Sequence, residues 1–394
     1  MAKESRLNHG DYIHNIQITR WNQVAEETFD NKHFRYDIMR PFNCKWNLIY
    51  SGRNDGKSTA ACADEALKRF FVEGKKILYL RRYGSECSAT LVEAYFQERC
   101  LYKIINELMP EIMNDPNKEQ FTTYKVRTYA GIMYISGWCP FRSKWIKLGI
   151  LGYYTSLDKF ESKKSGQYSN VQTVIYEEFL ATTRPELTGE FEKLLNAIST
   201  YTRDNDFKAI LIGNTVKRRS SIFDAFNIRV DDVPLGIVKT YEYDKDGIKN
   251  TVAVLHAKES KAKKESSGSF YFGEQNKTNL IGDEWLIADY PKIPTEYQYN
   301  SFKPEASFLL ICSQIKLYIY FVDNICLCSN ERLCDDDYII ITDRVDIEKR
   351  WLSMKAGYRI LRALEMFRDY KWIYYNCNEA GDDLSIFLAG GYGI

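Results

Sequence analysis

From Lys45 to about residue 230, short apolar runs alternate with stretches of helical spacing. KWNLIYS (45–51) reads as a buried strand, and KSTAACADEALKRFFVEG (57–74) as a helix stopped at Gly74. KKILYLRR (75–82) is the next strand, and SECSATLVEAYFQERCLYKIINELM has helical spacing. KVRTYAGIMYISGW alternates about Ala130-Gly131 and predicts a hairpin. VQTVIYEEFL is an apolar strand ending in two carboxylates, EFEKLLNAISTYTR is helical, and FKAILIGNT is a last apolar strand ending at Asn214. Buried strands alternating with helices predict an α/β unit whose parallel sheet is covered on both faces.

The pattern changes after residue 230. TYEYDKDGIKN and HAKESKAKKESSGS offer few core positions, and the second, rich in Lys and Ser, has the composition of a connector. SFLLICSQIKLYIYFVDNICLCSN (307–330) reads as a meander of short strands. A long helix over about 347–369, a strand WIYYNC and a closing helix DDLSIFLA follow. The expected organisation is a lead-in over 1–43, an α/β domain over 44–230, a linker over 231–275 and a second α+β domain over 276–394.

Composition narrows this picture only slightly. Hydrophobic residues make up 45% and charged residues 27%, the balance of an ordinary globular chain. A formal charge of +1 supplies no global field, so any contact with nucleic acid must come from local basic clusters. The N-terminus carries no apolar signal segment and no run is long enough to span a bilayer, so the ten cysteines are expected as reduced thiols. Cys312, Cys326, Cys328 and Cys334 lack the paired spacing of a zinc site and read as structural.

The chemistry concentrates between the first strand and helix. Ser51-Gly52-Arg53-Asn54-Asp55-Gly56-Lys57-Ser58-Thr59 fits the P-loop pattern except that serine holds the first glycine position. Such a loop aims backbone N–H groups at a phosphate, and the helix N-terminus adds partial positive charge. Lys57 is expected to reach the β- and γ-phosphates of ATP, and the Ser58 hydroxyl to coordinate Mg²⁺. Glu177 and Glu178, at the end of the third apolar strand, match the need for one acid to hold Mg²⁺ and a second to polarise the attacking water. Asn214 occupies the place of a polar sensor for the γ-phosphate, against the alternative of an ordinary turn asparagine. Arg203, between a helix and the following strand, suits an arginine acting on a neighbouring subunit's nucleotide, against a solvated helix end. Arg81-Arg82, Lys163-Lys164 and Lys217-Arg218-Arg219 are candidate grips on a DNA backbone, although such clusters are more often solvated faces.

Taken in order, KWNLIYSGRNDGKS, ILYLRRYGSE, ESKKSGQYSNVQTVIYEEF, LLNAISTYTRDNDFKAILIGNT and SSIFDAFNI resemble the DNA packaging ATPases of phi29-like bacteriophages, with a weaker match at LIGDE (280–284). The resemblance is strong over about 45–230 and lies mainly in order and length beyond. It implies a P-loop NTPase of the additional-strand type followed by an RNase H-like domain. It implies an ATP-driven, homo-oligomeric ring, pentameric in the family, that docks on the portal of an empty prohead in the host cytoplasm. There it would move double-stranded genomic DNA, and in the phage that names the family a packaging RNA joins ring to portal. The resemblance assigns Lys57 and Ser58 to Walker A, Glu177 and Glu178 to Walker B and catalysis, and Arg203 to the trans arginine finger. It sets Arg81 and Arg82 near the DNA channel. The usual Walker B aspartate is Glu177 here, and Gly84 replaces the basic residue after RRY.

RNase H-like nucleases need carboxylates on their first strands to bind two metals, and SFLLICSQ has none. Asp323, Asp335-Asp336-Asp337 and Asp382-Asp383 are the acids that remain. A docking domain is the expectation. The alternatives are a terminase that also cuts DNA, and a nucleotide-regulated docking protein without turnover.

Overall fold

The computed structural model describes residues 21–22, 32–53, 55–96, 98–108, 121–160, 168, 170–180, 186–203, 205–215, 220–245, 248–261, 290–297, 301–312, 315–342, 351–353 and 357–388. The chain divides into two compact units, Met1–Leu286 and Ile287–Ile394.

In the first unit the strands are β1 (Trp46–Ser51), β2 (Lys76–Arg81), β3 (Tyr124–Tyr129), β4 (Ile132–Cys139), β5 (Lys144–Ser156), β6 (Val171–Glu177), β7 (Lys208–Asn214), β8 (Val238–Lys245) and β9 (Ile248–His256). Among the described residues they form one sheet in the order β3-β4-β5-β2-β6-β7-β1-β9-β8. From β5 to β9 all neighbours run parallel. β7 therefore lies between the P-loop strand β1 and the acid strand β6, which is the additional strand the sequence implied. β1 is buried at every position, and apolar clusters cover both faces of the sheet, as parallel strands require.

Helix α1 leaves the P-loop as Lys57–Thr59, passes through a π-helical piece Ala60–Ala66 and ends as Leu67–Glu73, with Gly74 left-handed at its C-cap. The predicted helix after β2 is two helices, α2 (Ala89–Tyr95) and α3 (Glu98–Leu108), broken at the extended Phe96. α4 (Glu190–Thr202) and α5 (Ser221–Ala225) flank β7 in sequence.

Two expectations change here. The 124–139 hairpin is part of a three-stranded meander, because β5 pairs antiparallel with β4 and then parallel with β2. Residues 238–256, expected within a linker, form the hairpin β8–β9, and β9 pairs with β1 from Trp46↔Val252 to Tyr50↔His256. The buried run Val252–Leu255 gives β9 a central-strand character that the polar β8 masks in sequence. The Lys/Ser stretch after Lys261 and LIGDE lie outside the described residues.

The second unit holds β10 (Ala306–Cys312), β11 (Ile315–Val322), β12 (Ile325–Ser329), β13 (Ile339–Thr342), β14 (Trp351–Ser353), β15 (Ile373–Tyr375), α6 (Tyr358–Asp369) and α7 (Asn378–Leu388). The sheet order is β14-β13-β10-β11-β12-β15. An antiparallel meander β10–β11–β12 carries parallel β13 and β14 beside its first strand, the arrangement of an RNase H-like sheet. The predicted long helix begins only at Tyr358, and 351–353 within it is strand. Cys326 and Cys328 face the core from β12, and burial raises both thiols far above their ordinary range.

Candidate functional site

The P-loop follows from the end of a fully buried strand meeting the start of a helix. Ser51 closes β1, and Gly56 takes φ 87°, a left-handed turn that starts α1 at Lys57. The loop is tied down at Asp55. Its Oδ2 accepts from Ser51 Oγ at 2.6 Å, its Oδ1 from the Ser260 N–H at 3.0 Å, and its carbonyl from the Phe34 N–H at 2.9 Å. Ser51 does what glycine could not, because its hydroxyl also accepts from Lys57 Nζ at 2.9 Å. Lys57 Nζ further donates to the Gly52 carbonyl at 2.6 Å and, at 3.4 Å, to Asn214 Oδ1. The ammonium is thus folded across the loop, between the P-loop backbone and Asn214 at the end of β7.

Glu177 ends β6 one strand beyond β7. It is buried, and its carboxylate accepts from the Tyr79 hydroxyl and from Arg81 Nη2 and Nε at 3.0 and 3.3 Å. Arg81 Nη2 also lies 3.3 Å from Glu178 Oε1, so one guanidinium bridges both acids. Burial raises the Tyr79 and Tyr95 phenols and the Glu177 charge raises them further, which keeps both as donors beside that carboxylate. Burial opposes the charge on Arg81, but the Glu177 and Glu178 carboxylates outweigh it and hold the guanidinium above its ordinary range. Glu178 has φ 60°, a costly left-handed conformation for a side chain of its size. The next residue fixes it, since the Phe179 N–H donates to the Ile212 carbonyl at 3.1 Å and its carbonyl accepts from Arg82 Nη2 at 2.9 Å.

A cavity of about 430 Å³ opens at the C-terminal ends of these parallel strands. It is lined by the P-loop, by Ser58 and Thr59 at the start of α1, by Glu177 and Glu178, by Gly213 and Asn214, and by Arg81 and Tyr95. Crevices of this size at the carboxyl ends of α/β strands are the usual ligand sites of such sheets. The donor set fits a magnesium nucleotide. A lysine ammonium and helix N-terminal N–H groups face the place of the phosphates, and a hydroxyl and a buried carboxylate stand where a hard cation takes oxygen ligands. Ser51, Gly52, Arg53, Asp55, Gly56, Lys57, Ser58, Thr59, Glu177, Glu178 and Asn214 are all brought to this one cleft or its walls. Asn54 lies outside the described residues.

Arg81 lines the same cleft, and the other candidates stand elsewhere. Arg81 and Arg82 are both buried and paired with carboxylates of the same unit. Arg81 is engaged with the two acids, and Arg82 is buried in a two-pronged pair with Glu190, Nε to Oε2 at 2.6 Å and Nη2 to Oε1 at 2.9 Å. Their guanidiniums satisfy internal carboxylates that would otherwise be buried without a counter-charge. Arg203 is exposed, caps α4 with φ 53°, and sits before the start of β7, at the end of the sheet away from the P-loop. The seven-residue β7 separates it from Asn214 by roughly 20 Å. Lys163, Lys164, Lys217, Arg218 and Arg219 lie outside the described residues. Tyr79, Tyr95 and the cleft position of Arg81 were missed from sequence. The signal was there, since Tyr79 and Arg81 are two apart at the end of the strand that pairs with β6.

Among the described residues of the second unit the acids do not converge on a metal site. Asp323 sits in the turn after β11 and accepts from Tyr297, while Asp336 accepts from Ser307. Among the described residues no group of three or more His, Cys, Asp or Glu is arranged to hold a metal.

The DNA packaging proteins of Bacillus phages phi29 and PZA are each 26% identical to this chain over 188 residues. That stretch is 47% of this chain and 47% of each of theirs, so the chain spans about half the length of the curated relatives it matches. In fold, the bacteriophage phi29 viral genome packaging motor assembly superposes over 91% of this chain and 97% of its own, with a TM-score of 0.56 and 17% identity. The chain resembles the phi29-like DNA packaging proteins in sequence and in fold. At that identity the structural likeness is one of fold. No family model matches the chain. Among the described residues no helix is long and apolar enough to cross a membrane.

Proposed function

We propose that the chain is an ATP hydrolase coupled to translocation of double-stranded viral DNA into a prohead. The observation that carries this reading is the convergence of Lys57, Glu177, Glu178 and Asn214 on one cleft across three adjacent parallel strands. In this reading the P-loop N–H groups and Lys57 bind the phosphates, and Ser58 and Glu177 hold Mg²⁺. When bound, the ion neutralises charge developing on the transferred phosphoryl group. Glu178, strained and partly exposed, orients and polarises the attacking water, while Asn214 on β7 links the γ-phosphate position to the sheet. Lys57 exchanges its neutral oxygen partners for phosphate oxygens.

Arg203 lies too far from its own cleft to serve it, which favours an assembly in which it completes a neighbour's site. The partners proposed are therefore further copies of the chain in a ring, pentameric in the family it resembles, with a prohead portal, double-stranded DNA and a packaging RNA. Its place of action is the host cytoplasm, on the prohead. The unit with the RNase H-like sheet is read as a docking module, because its first strand has no acid.

The test is ATP-dependent protection of DNA from nuclease by proheads together with this protein. Protection abolished by Lys57→Ala supports the reading. DNA-stimulated hydrolysis without protection points away from packaging, and nucleotide binding without turnover to a docking protein. Plasmid cleavage in Mn²⁺, lost in Asp323→Ala, points to a cutting terminase.

A further inference from the structure

The β3–β4–β5 meander carries a charge pattern that the nucleotide site does not explain. Residues 121–156 contain five cations, Lys125, Arg127, Arg142, Lys144 and Lys147, and no aspartate or glutamate, in a chain with 53 acids. Strand alternation sorts them. Tyr124 and Val126 are buried in the core on the face where α2 and α3 pack, so Lys125, Arg127 and Tyr129 point the opposite way. The register aligns Lys125 with Ser136 and Lys147, Arg127 with Tyr134, and Trp138 with Trp145, all on that outer face. Arg127 and Lys147 are exposed, as is Tyr129, and Phe141 at the β4–β5 turn is fully so.

The aromatics organise the cations. Lys125 Nζ lies 4.3 Å from the Trp145 ring centroid, Lys147 Nζ 3.9 Å from that of Tyr134, and the Arg127 guanidinium 5.8 Å from Trp145. Trp138 packs on Trp145 with centroids 5.5 Å apart. A cation held above a ring keeps its charge while its side-chain freedom is reduced. Rings occupied in this way offer little face for stacking unpaired bases, which argues against a single-strand platform. What remains is an ordered array of positive charge on a twisted sheet face, with no carboxylate in its own strands to repel phosphate.

We propose that this outer face of the meander binds the phosphate backbone of duplex DNA, independent of base sequence. The choice of DNA as the duplex rests on the packaging reading; the anion-binding character of the face does not. Residues 125, 127 and 147 would position the duplex and carry no base readout.

The experiment is binding of the full chain to a labelled random-sequence DNA duplex across a salt series, alongside ATP hydrolysis without DNA. For Arg127→Gln with Lys147→Gln, both exposed and outside the cleft, affinity at 0.15 M salt is expected to fall on the order of 10- to 30-fold. The slope of log affinity against log salt should shrink by about 1.8, the loss of two phosphate contacts. DNA-independent hydrolysis should stay at the wild-type level, which shows that the variant is folded. Unchanged affinity and slope overturn the proposal while leaving the packaging reading intact. Tighter binding of single-stranded DNA or of an RNA duplex than of the DNA duplex, lost in the variant, overturns the choice of ligand. A wild-type chain that hydrolyses ATP yet binds no DNA overturns both. DNA binding through this face by a chain that hydrolyses no ATP overturns the motor and keeps the surface.

Discussion

Arg81 is the residue on which the two cleft acids depend when no nucleotide is bound. Its guanidinium touches Glu177 and Glu178 together, and Glu177 is otherwise held by neutral phenols. Removing the cation from a buried pair leaves an uncompensated carboxylate and typically costs about 3–5 kcal/mol. Arg81→Ala should therefore lower the melting temperature of the free protein. Magnesium nucleotide brings positive charge back beside Glu177, so its addition should raise the melting temperature of the variant more than that of the wild type. Equal ligand-induced shifts would mean that Arg81 does not compensate these acids. The acids themselves separate by turnover. Glu178→Gln should bind ATP and hydrolyse it ~10²–10⁴-fold more slowly, as expected for loss of a positioned base. Normal turnover in Glu178→Gln with an inactive Glu177→Gln would reverse their roles. Lys57 and these acids were legible because a P-loop and an acid-ended strand are local patterns. The roles of Arg81 and Arg82 were not, because their partners lie 96 and 108 residues away and a cation at a strand end reads as exposed.

At the scale of elements, α1 is held on its far side by a buried charge network. Asp64 and Glu65, in the π-helical piece, are both buried and pair with Arg35, Arg40 and Lys208, the last at the start of β7. The segment before β1, which sequence left as an irregular lead-in, is thus clamped to the helix that carries the P-loop. Arg40→Ala should destabilise the fold by about 3 kcal/mol in chemical denaturation, because it strips one counter-charge from each of two buried acids. Burial alone would raise the Glu65 carboxyl, but Lys208 and Arg40 hold it below its ordinary value. Its contribution is then complete above the unfolded glutamate value, about 4.5, and is lost as pH falls through the lower folded value. The Arg40→Ala penalty should shrink over that acidic range, and a penalty independent of pH would place the effect in packing. β1, β6 and β7 were visible in sequence as continuous apolar runs bounded by turn residues. β5 and β9 were not, for a shared reason. Each is half of an antiparallel hairpin at the sheet's rim, where polar partners and solvent-facing positions dilute the apolar signal that the parallel neighbour on the other side demands.

At the scale of the whole molecule, the distance between Arg203 and its own cleft makes a prediction about assembly. If Arg203 completes the site of the adjacent copy, a single chain binds ATP but turns it over slowly, and hydrolysis rises with ring formation. An arginine supplied in trans contributes ~10³–10⁵ in rate in well-studied GTPases, so Arg203→Ala should lose most activity while keeping nucleotide affinity. Its left-handed backbone calls for a second variant, Arg203→Lys, which keeps the long side chain and a charge but not the planar fork. That variant should also be severely slowed, and near-normal turnover would reduce Arg203 to a helix-end residue. Mixing settles the geometry. Arg203→Ala and Glu178→Gln each disable every site in a uniform ring. In a mixed ring an intact site forms wherever a Glu178→Gln copy presents its Arg203 to an Arg203→Ala copy, which retains Glu178. A one-to-one random mixture holds such junctions at about one quarter of its interfaces, so activity should rise toward that fraction of wild type if sites fire independently. A mixture as inactive as its components, although mixed rings form, would assign Arg203 no role across the interface. The trans contribution would then have to come from another cation, and Lys217, Arg218 and Arg219 after β7 would be the next to change.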